Sequence, residues 1–299
     1  MFDFLKRLFG RNRSIPQRGD AVTAELNQEQ QWEITGQRTG QALQKFWVGT
    51  GLDVGRRREN NEDALLALQA TLGVESGGQP LGIFVVSDGM GGHRSGEVAS
   101  ENAVRALGNY LIHKVYEPLL GPNPHPAEES LREIMEAGIL HAHNAVKRSA
   151  PGGGCTLTAA LMVGSQMVIG HLGDSRAYAV EKDGRITVLT KDHTLVNRLQ
   201  EMGQLTAEEA AIHPQKSVLY RALGQGDAIT ADIATSTLPA SGALLLCSDG
   251  LWGFVPEEDI EQIINAAATP ELACQHLVEA ANQAGGPDNI AVVLVRLSK

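Results

Sequence analysis

The chain has 299 residues, of which 42% are apolar, and its formal net charge is −10. Such a length and composition are typical of a soluble globular protein with one large core or two smaller ones. No run of about 18 apolar residues predicts a membrane span, and no secretory signal pattern opens the chain. The acidic balance argues against a nucleic-acid-binding protein.

The three cysteines, Cys155, Cys247 and Cys274, are an odd number, lie far apart and form no C-x-x-C pair. This pattern is typical of reduced thiols rather than of a disulfide framework or a zinc site. We therefore predict a cytoplasmic location for the chain.

Residues 1–45 are predicted to be a flexible leader, because they are rich in Gln, Arg, Thr and Gly and show no sustained periodicity. Residues 1–18 carry five basic residues and one acidic residue, a net charge of +4, which leaves −14 on the remainder. Phe2, Leu5, Leu8 and Phe9 would share one side of a short amphipathic helix. Two interpretations stay open: a frayed terminus, or a segment in weak contact with a membrane surface or a partner.

A single folded domain is predicted over residues 46–299. Apolar or alternating runs separated by Gly-rich segments indicate short strands, and longer runs with helical spacing indicate helices. The first half is predicted to contain strands at 46–54, 64–68 and 81–86, helices at 95–115 and 126–149, and strands at 156–163, 167–172, 175–180 and 186–189.

Residues 191–226 are less regular, with short helical stretches around a His213-Pro214 break. After them the pattern predicts a strand at 243–247, helices at 256–268 and 270–284, and a final strand at 290–297. Neighbouring strands joined by short turns favour antiparallel sheets, and the paired helical runs indicate sheets covered by helices. The predicted fold class is α+β.

Acidic residues recur at the ends of predicted strands. Two apolar runs each end in Ser-Asp-Gly, and the other acidic residues occur beside further runs. They are Glu62, Asp63, Asp88, Asp174, Asp249 and Asp288. Any one of them alone is more simply a turn residue, but turns alone do not explain five such elements, in which Glu62 and Asp63 count as one.

Carboxylates, carbonyls and water are the ligands that suit hard cations such as Mg²⁺ and Mn²⁺. Asp88 is the natural ligand to bridge two such ions, because Gly89 behind it leaves its own carbonyl free to approach a metal. Arg58 precedes Asp63 on the same segment, and its guanidinium is suited to hold phosphate oxygens. The alternative is a solvated arginine within the run Arg56-Arg57-Arg58.

Five ordered motifs resemble those of the metal-dependent protein phosphatases of type 2C, in their bacterial branch. They extend over about 230 residues, in the family's order. They are R-x-x-N-E-D (58–63), D-G-M-G-G-H (88–93), G-D-S-R (173–176), S-D-G-L (248–251) and D-N-I (288–290).

The resemblance implies a β-sandwich of two antiparallel sheets with helices on both sides, in four layers. It also implies two core Mg²⁺ or Mn²⁺ ions and allows a third, weaker one. Asp88 would bridge the core ions and the Gly89 carbonyl would bind one of them. Asp249 and Asp288 would hold the other, and Asp174 would share the third ion with Asp249.

The remaining motif residues receive roles from the same resemblance. Glu62 and Asp63 match an acidic pair that binds or orients metal water, and Arg58 matches the phosphate-binding arginine. Residues 191–226 align with a mobile flap beside the active site, which ends near Arg221-Ala222-Leu223-Gly224.

Two positions, Met90 and Cys155, depart from the family pattern. Met90 stands where animal members have a histidine proposed as the general acid. His93, three residues on, either takes that role or orients the loop. Cys155 replaces a more usual serine or threonine, a change whose expected effect is structural.

The activity implied is hydrolysis of phosphoserine and phosphothreonine in proteins by a metal-activated water, opposing Ser/Thr kinases in signalling. No Arg-rich phosphate loop accompanies a cysteine, so a cysteine phosphatase is not indicated. Expected partners are phosphorylated proteins and a cognate kinase, with no nucleic acid, and the chain is expected to be a monomer. Two alternatives stay open: a non-catalytic regulator of the same fold that binds phosphoproteins, and another metal-dependent phosphoesterase.

Overall fold

The computed structural model describes residues 45–74, 77–91, 94–125, 127–181, 183–237 and 242–298. The predicted leader lies outside these residues, except for Lys45, so the prediction of a flexible, membrane-contacting segment stays a prediction. His93 lies outside them too.

The described strands alternate with turns and helices along the whole domain. In chain order they are β1 (Lys45–Asp53), β2 (Asp63–Val74), β3 (Gly77–Met90), β4 (Gly154–Cys155), β5 (Leu157–Val163), β6 (Gln166–Leu172), β7 (Arg176–Val180), β8 (Ile186–Val188), β9 (Asp232–Thr237), β10 (Gly242–Cys247) and β11 (Ile290–Ser298).

The helices are two long ones in the first half of the domain and shorter ones later. They are α1 (Arg94–Leu111), α2 (Glu117–Leu120), α3 (Leu131–Ser149), α4 (Leu195–Glu201), α5 (Ala207–Ala211), α6 (Asp249–Trp252), α7 (Glu257–Ala266) and α8 (Pro270–Gln283). One π-helical turn, Ile112–Tyr116, joins α1 to α2.

The strands form two antiparallel sheets. One sheet has the order β1-β11-β10-β7-β8, and the other has the order β2-β3-β5-β6-β9, with β4 paired to the end of β3. Strand β11 lies inside its sheet, because β1 pairs with one of its edges and β10 with the other. Because β1 and β11 are antiparallel, the turn that follows β1 lies beside the residues that precede β11.

Three apolar clusters define four layers. The inner faces of the two sheets meet in a cluster that includes Phe84, Leu246 and Val293. Helices α1 and α3 cover the outer face of one sheet, and α7 and α8 cover that of the other. Alternate residues of a strand face opposite sides, so each sheet contributes to two of these clusters. The predicted sandwich of two antiparallel sheets with helices on both sides is confirmed.

The Gly-rich segment before the third predicted strand is part of a β-hairpin. We expected residues 75–80 to separate two short strands, but β2 and β3 continue into this region, with Val74 opposite Gly77. Pro80 is tolerated in β3 because β5 begins to pair with β3 only at Leu81. The missing N–H of Pro80 is therefore not needed on that side.

Two further differences have local causes. Helix α3 begins at Leu131 rather than near residue 126, because Ser130 and Glu133 form a capping box there. Strand β9 was not predicted, because its sequence, Asp-Ile-Ala-Thr-Ser-Thr, carries little apolar signal. It pairs with β6 at the edge of its sheet.

The three cysteines form no disulfide, and each of them is buried. None of the helices in the described ranges combines the length and hydropathy needed to cross a bilayer.

Candidate metal centre and active site

Strand pairing brings the acidic residues to one end of the sandwich. Asp63, the first residue of β2, lies directly opposite Asp88 on β3. Asp249 follows β10, and Asp288 precedes β11, the strand paired to β10. Asp174 lies in the loop between β6 and β7. Carboxylates far apart in the sequence therefore meet at one place.

These residues surround a cavity of about 330 Å³, which we call the carboxylate pocket. Seven of the eight predicted site residues line it, and Asp63 does not. Its lining residues are Arg58, Glu62, Asp88, Gly89, Met90, Gly91, Thr156, Asp174, Ser217, Leu219, Asp249, Asp288 and Asn289.

Asp63 lies behind the pocket wall. Its side chain is 5% exposed, and its Oδ2 accepts a 2.7 Å hydrogen bond from Ser248 Oγ. The same hydroxyl oxygen accepts a hydrogen bond from the N–H of Ala291 on β11. Asp63 is thus placed to support Asp88 rather than to face the cavity itself.

Burial makes the charged forms of these carboxyl groups costly. It is the main cause that raises the pKa of Asp63 and Asp174 to about 8 and that of Asp249 to about 6. It also raises the pKa of Asp88 well above its usual range, with further contributions from Asp63 and Asp249. Without positive charge, four carboxylates cannot all be ionised at neutral pH.

The donor set fits hard divalent cations. Every charged group that faces the pocket except Arg58 is a carboxylate, and Oδ1 of Asp63 and of Asp249 are buried without a hydrogen-bond partner among the described residues. No three His, Cys, Asp or Glu side chains in the described ranges already stand in metal-binding geometry. Backbone carbonyls, water or small side-chain rotations would therefore complete the coordination.

The backbone around Asp88 is fixed by Thr156. The N–H of Asp88 donates to Thr156 Oγ1 at 2.9 Å, and the N–H of Thr156 donates to the Asp88 carbonyl at 2.8 Å. Ser87 Oγ donates to the Thr156 carbonyl. Asp88 lies within β3 rather than at its end, since that strand continues to Met90.

Only glycine fits at position 89. A Cβ there would overlap the carbonyl oxygens of Gly96 and Glu62. The N–H of Gly89 donates to the Glu62 carbonyl at 3.0 Å, so the segment that carries Glu62 packs directly against the end of β3.

Arg58 is held at the mouth of the pocket. Its Nη2 donates to Asp288 Oδ2 at 2.8 Å, and the Arg58 side chain is 51% exposed. An exposed ion pair of this kind is weak. Because a guanidinium has five donors, Arg58 can keep this contact and still bind phosphate oxygens.

Asn289 organises the pocket edge, a role that the sequence reasoning missed. Its Oδ1 accepts from the N–H of Glu62, and its Nδ2 donates to the carbonyls of Val54 and Asn60. The Asp-Asn pair resembled a turn signal, and the only clue to more was its position directly before a buried strand. The supporting roles of Thr156 and Ser248 were also missed, because a hydroxyl residue beside an apolar run does not indicate which side chain it binds.

The loop that carries Asp174 is held from two sides. Trp252 Nε1 donates to the Asp174 carbonyl at 3.0 Å. His193 donates from its backbone N–H to the Gly173 carbonyl, and its Nδ1 accepts from the N–H of Gly173. Asp174 is 6% exposed.

Two residues of the segment 191–226, Ser217 and Leu219, line the pocket. Both ends of this segment are anchored to the sandwich. Near its start, His193 donates its N–H to the carbonyl of Gly173, which lies outside the segment. Near its end, Leu223 and Cys155 exchange two backbone hydrogen bonds.

Met90 also lines the pocket, with its sulfur 3.9 Å from Gln225 Nε2. A thioether cannot donate a proton, so Met90 cannot act as a general acid. The prediction for His93 concerns a residue outside the described ranges.

Comparisons with known proteins agree on one family. The sequence profile of protein phosphatase 2C matches residues 51–282. The chain is 38% identical over 250 residues to the serine/threonine phosphatase stp of Listeria innocua, covering 81% of this chain and 92% of that protein. It is 35% identical over 250 residues to the protein phosphatase PhpP of Streptococcus pneumoniae, covering 83% and 96%.

Solved structures give the same result. The serine/threonine phosphatase PstP/Ppp of Mycobacterium tuberculosis matches with a TM-score of 0.71 and 32% identity, over 85% of this chain and 99% of that one. The catalytic domain of PstP in complex with two manganese ions matches with a TM-score of 0.68 and 30% identity, over 85% and 99%. The chain belongs to the protein phosphatase 2C family, whose bacterial members are metal-dependent protein-serine/threonine phosphatases.

Proposed function

We propose that the carboxylate pocket hydrolyses phosphoserine and phosphothreonine in proteins, with Asp88 as its central ligand and Arg58 as its phosphate-binding group. The observation that carries this proposal is the meeting of Asp88, Asp174, Asp249 and Asp288 around one cavity with Arg58 at its mouth. Such a concentration of buried carboxylates destabilises the fold unless cations balance it.

When bound, two Mg²⁺ or Mn²⁺ ions supply the positive charge and the lowered pKa of water that such a hydrolysis requires. Asp88, Asp249, Asp288 and the Gly89 carbonyl are the groups that would hold them. Glu62 would orient water at the pocket wall, Asp63 would act from behind the wall by supporting Asp88, and Asp174 would serve a third, weaker ion together with Asp249.

Substrate binding follows from the position of Arg58. Its guanidinium presents parallel donors that match two phosphate oxygens, and its contact with Asp288 fixes the direction of the side chain. In the transition state of phosphoryl transfer the charge is spread over the three equatorial phosphate oxygens. Arg58 would bind two of these oxygens and so hold the phosphoryl group in position for attack.

The wider role is inferred from the same activity. We propose a bacterial cytoplasmic enzyme that opposes Ser/Thr kinases in signalling, with a cognate kinase as a partner and a monomeric state. We further propose a domain from residue 46 onward with residues 191–226 as its flap. The leader 1–45 would add no more than weak contact with a membrane surface.

Metal removal tests the activity. The purified protein should release phosphate from a phosphothreonine peptide with Mn²⁺, lose this activity in EDTA, and regain it when Mn²⁺ is restored. A 5′-nucleotide and a sugar phosphate serve as controls and should be poor substrates. Peptide binding without phosphate release would favour a non-catalytic regulator, and faster turnover of the nucleotide would favour another phosphoesterase.

A further inference from the structure

Most basic side chains of this acidic protein have partners. Most of the described lysines and arginines at the surface bind an acidic group or a carbonyl oxygen. Arg105, Lys114 and Arg185 are examples. Among the lysines and arginines whose side chains the structure describes, those that lack such a partner are Arg56, Arg57, Arg148 and Lys216.

Three of these four side chains lie next to residues that line the carboxylate pocket. Arg57 directly precedes Arg58, and Lys216 directly precedes Ser217. Arg56 packs against the loop that leads to Asp288, since its N–H donates to the Gly286 carbonyl at 2.7 Å. All three are exposed. In a chain of net charge −10, unpaired positive charge is thus concentrated beside the active site.

The turn that carries the two arginines is held in place. Asn289 binds the carbonyls of Val54 and Asn60 on either side of it, and the N–H of Gly55 donates to Asp53 Oδ1. A Cβ at position 55 would overlap the Asp288 carbonyl, and the φ of Gly55 is +80°. The backbone below Arg56 and Arg57 is therefore preorganised, which lowers the entropy cost of binding there.

We infer that Arg56, Arg57 and Lys216 select phosphoproteins whose phosphorylated residue is flanked by acidic side chains. This inference rests on the proposed function, because it names the substrate class of the same pocket. Arg58 is occupied with Asp288 and the phosphate, which leaves its two neighbours for carboxylates on the substrate. Glu59 is the opposing charge on the same turn and reduces this preference.

Three phosphothreonine peptides that differ only in flanking Glu, Gln or Lys residues test the inference. At low salt we expect kcat/KM to be about three- to tenfold higher for the Glu peptide than for the Gln peptide, because each exposed ion pair contributes modestly. The Lys peptide should be the poorest substrate. The preference should shrink at high salt, since exposed charges are screened.

Variants locate the effect. In Arg56→Gln/Arg57→Gln the ratio of the Glu peptide to the Gln peptide should fall to about one to two, and in Lys216→Gln it should fall by a smaller factor. Glu59→Gln should raise the ratio. Arg148→Gln is the matched control, because Arg148 is also unpaired among the described residues but lies in the last turn of α3, outside the pocket lining. It should keep the ratio of the unmodified protein.

Equal rates for the three peptides, or an unchanged ratio in the double arginine variant, would overturn the inference and leave the proposed function standing. Hydrolysis of none of the peptides in the presence of Mn²⁺ would overturn both.

Discussion

The two Ser-Asp-Gly segments have the same sequence but different backbones. In the first, Asp88 lies inside β3, and its N–H is bound by Thr156 Oγ1. In the second, Asp249 begins the short helix α6. The serines differ too, since Ser87 donates to a backbone carbonyl whereas Ser248 donates to the Asp63 carboxylate. A shared tripeptide therefore places two carboxylates at one pocket by two different local routes.

The carboxyl groups also differ in their surroundings. Asp63, Asp174, Asp249 and Asp288 all act to raise the pKa of Asp88, whereas a hydrogen bond with Asp88 lowers the pKa of Asp249. Burial remains the largest cause of the raised pKa at both positions. Equivalent changes in the two segments should therefore have unequal effects.

The largest effect is expected from the aspartates themselves. Asp88→Asn should lower kcat/KM on a phosphothreonine peptide by on the order of 10³-fold, and Asp249→Asn by about 10²-fold, because the first change weakens both cation positions and the second only one. Rates measured over a Mn²⁺ titration check this order. Asp183→Asn, in an exposed turn, is the control, and equal losses in the two variants would show that Asp88 is not the shared ligand.

Substitution of the glycines in the two segments should have the next largest effect, which is a loss of stability. Gly89→Ala would place a Cβ against the carbonyl oxygens of Gly96 and Glu62, and Gly250→Ala would place one against the Asn289 carbonyl. Because backbone must shift in both cases, each change should lower the free energy of unfolding by about 1–3 kcal/mol. Urea unfolding measures this.

Gly152→Ala separates crowding from backbone strain in that experiment. Gly152 has a φ of +82° but nothing within 4 Å of a Cβ. Its loss of stability should therefore come from backbone strain alone. If Gly250→Ala lowered the free energy of unfolding and Gly89→Ala did not, the close packing described around Gly89 would be contradicted.

The serines should give a smaller difference. Ser248→Ala leaves Asp63 Oδ2 and the N–H of Ala291 without this partner, so the free energy of unfolding should fall by about 1–3 kcal/mol. Ser87→Ala removes one donor from the Thr156 carbonyl and should cost about 1 kcal/mol. Thermal unfolding in EDTA distinguishes them, and the reverse order would contradict the role given to Ser248.

The smallest expected effect is a gradual change with pH in how much Mn²⁺ stabilises the folded protein. Unfolded aspartates have pKa values near 3.9, while folding raises the pKa of Asp63 and Asp174 to about 8. The metal-free folded state therefore binds more protons between about pH 4 and pH 8, and these groups contribute less stability as the pH rises through that window.

Cations require the deprotonated carboxylates, so Mn²⁺ should stabilise the protein more at high pH. The difference in Tm between Mn²⁺ and EDTA should be small at pH 5 and reach about 5–10 °C at pH 8 with Mn²⁺ in large excess. Taking this difference cancels the contributions of groups distant from the pocket. A difference that is constant with pH would show that the carboxylates are not raised in pKa as described.

Much of the fold could be predicted from the sequence, because its apolar runs are long and their period is clear. Strands such as β5, β6 and β11 were placed within a residue or two. The β2–β3 hairpin and β9 could not be predicted in this way. The hairpin contains glycines and a proline that usually mark turns. Strand β9 is polar, lies at a sheet edge and pairs with β6 alone among the described strands.

The site residues were identified from the sequence by their repetition and their motif order, and the structure brings seven of them to one pocket. The hydrogen-bonding residues that hold these side chains in place could not be predicted from the sequence. Asn289, Thr156 and Ser248 act through hydrogen bonds to residues more than 40 positions away. Ser248 and Asn289 stand within two of the ordered motifs, but a linear pattern does not show which distant residues their side chains bind, and Thr156 stands in no motif.

The position of β11 inside its sheet has a consequence for how this enzyme is made. Asp288 directly precedes Asn289, the residue that binds the turn before β2, and β11 itself lies between β1 and β10. A growing chain that has not yet added this strand lacks Asp288, the Asn289 contacts that hold the turn before β2, and an interior strand of one sheet. Catalysis should therefore begin only after β11 has been added, so chains on the ribosome that stop short of it would leave phosphorylated proteins unchanged.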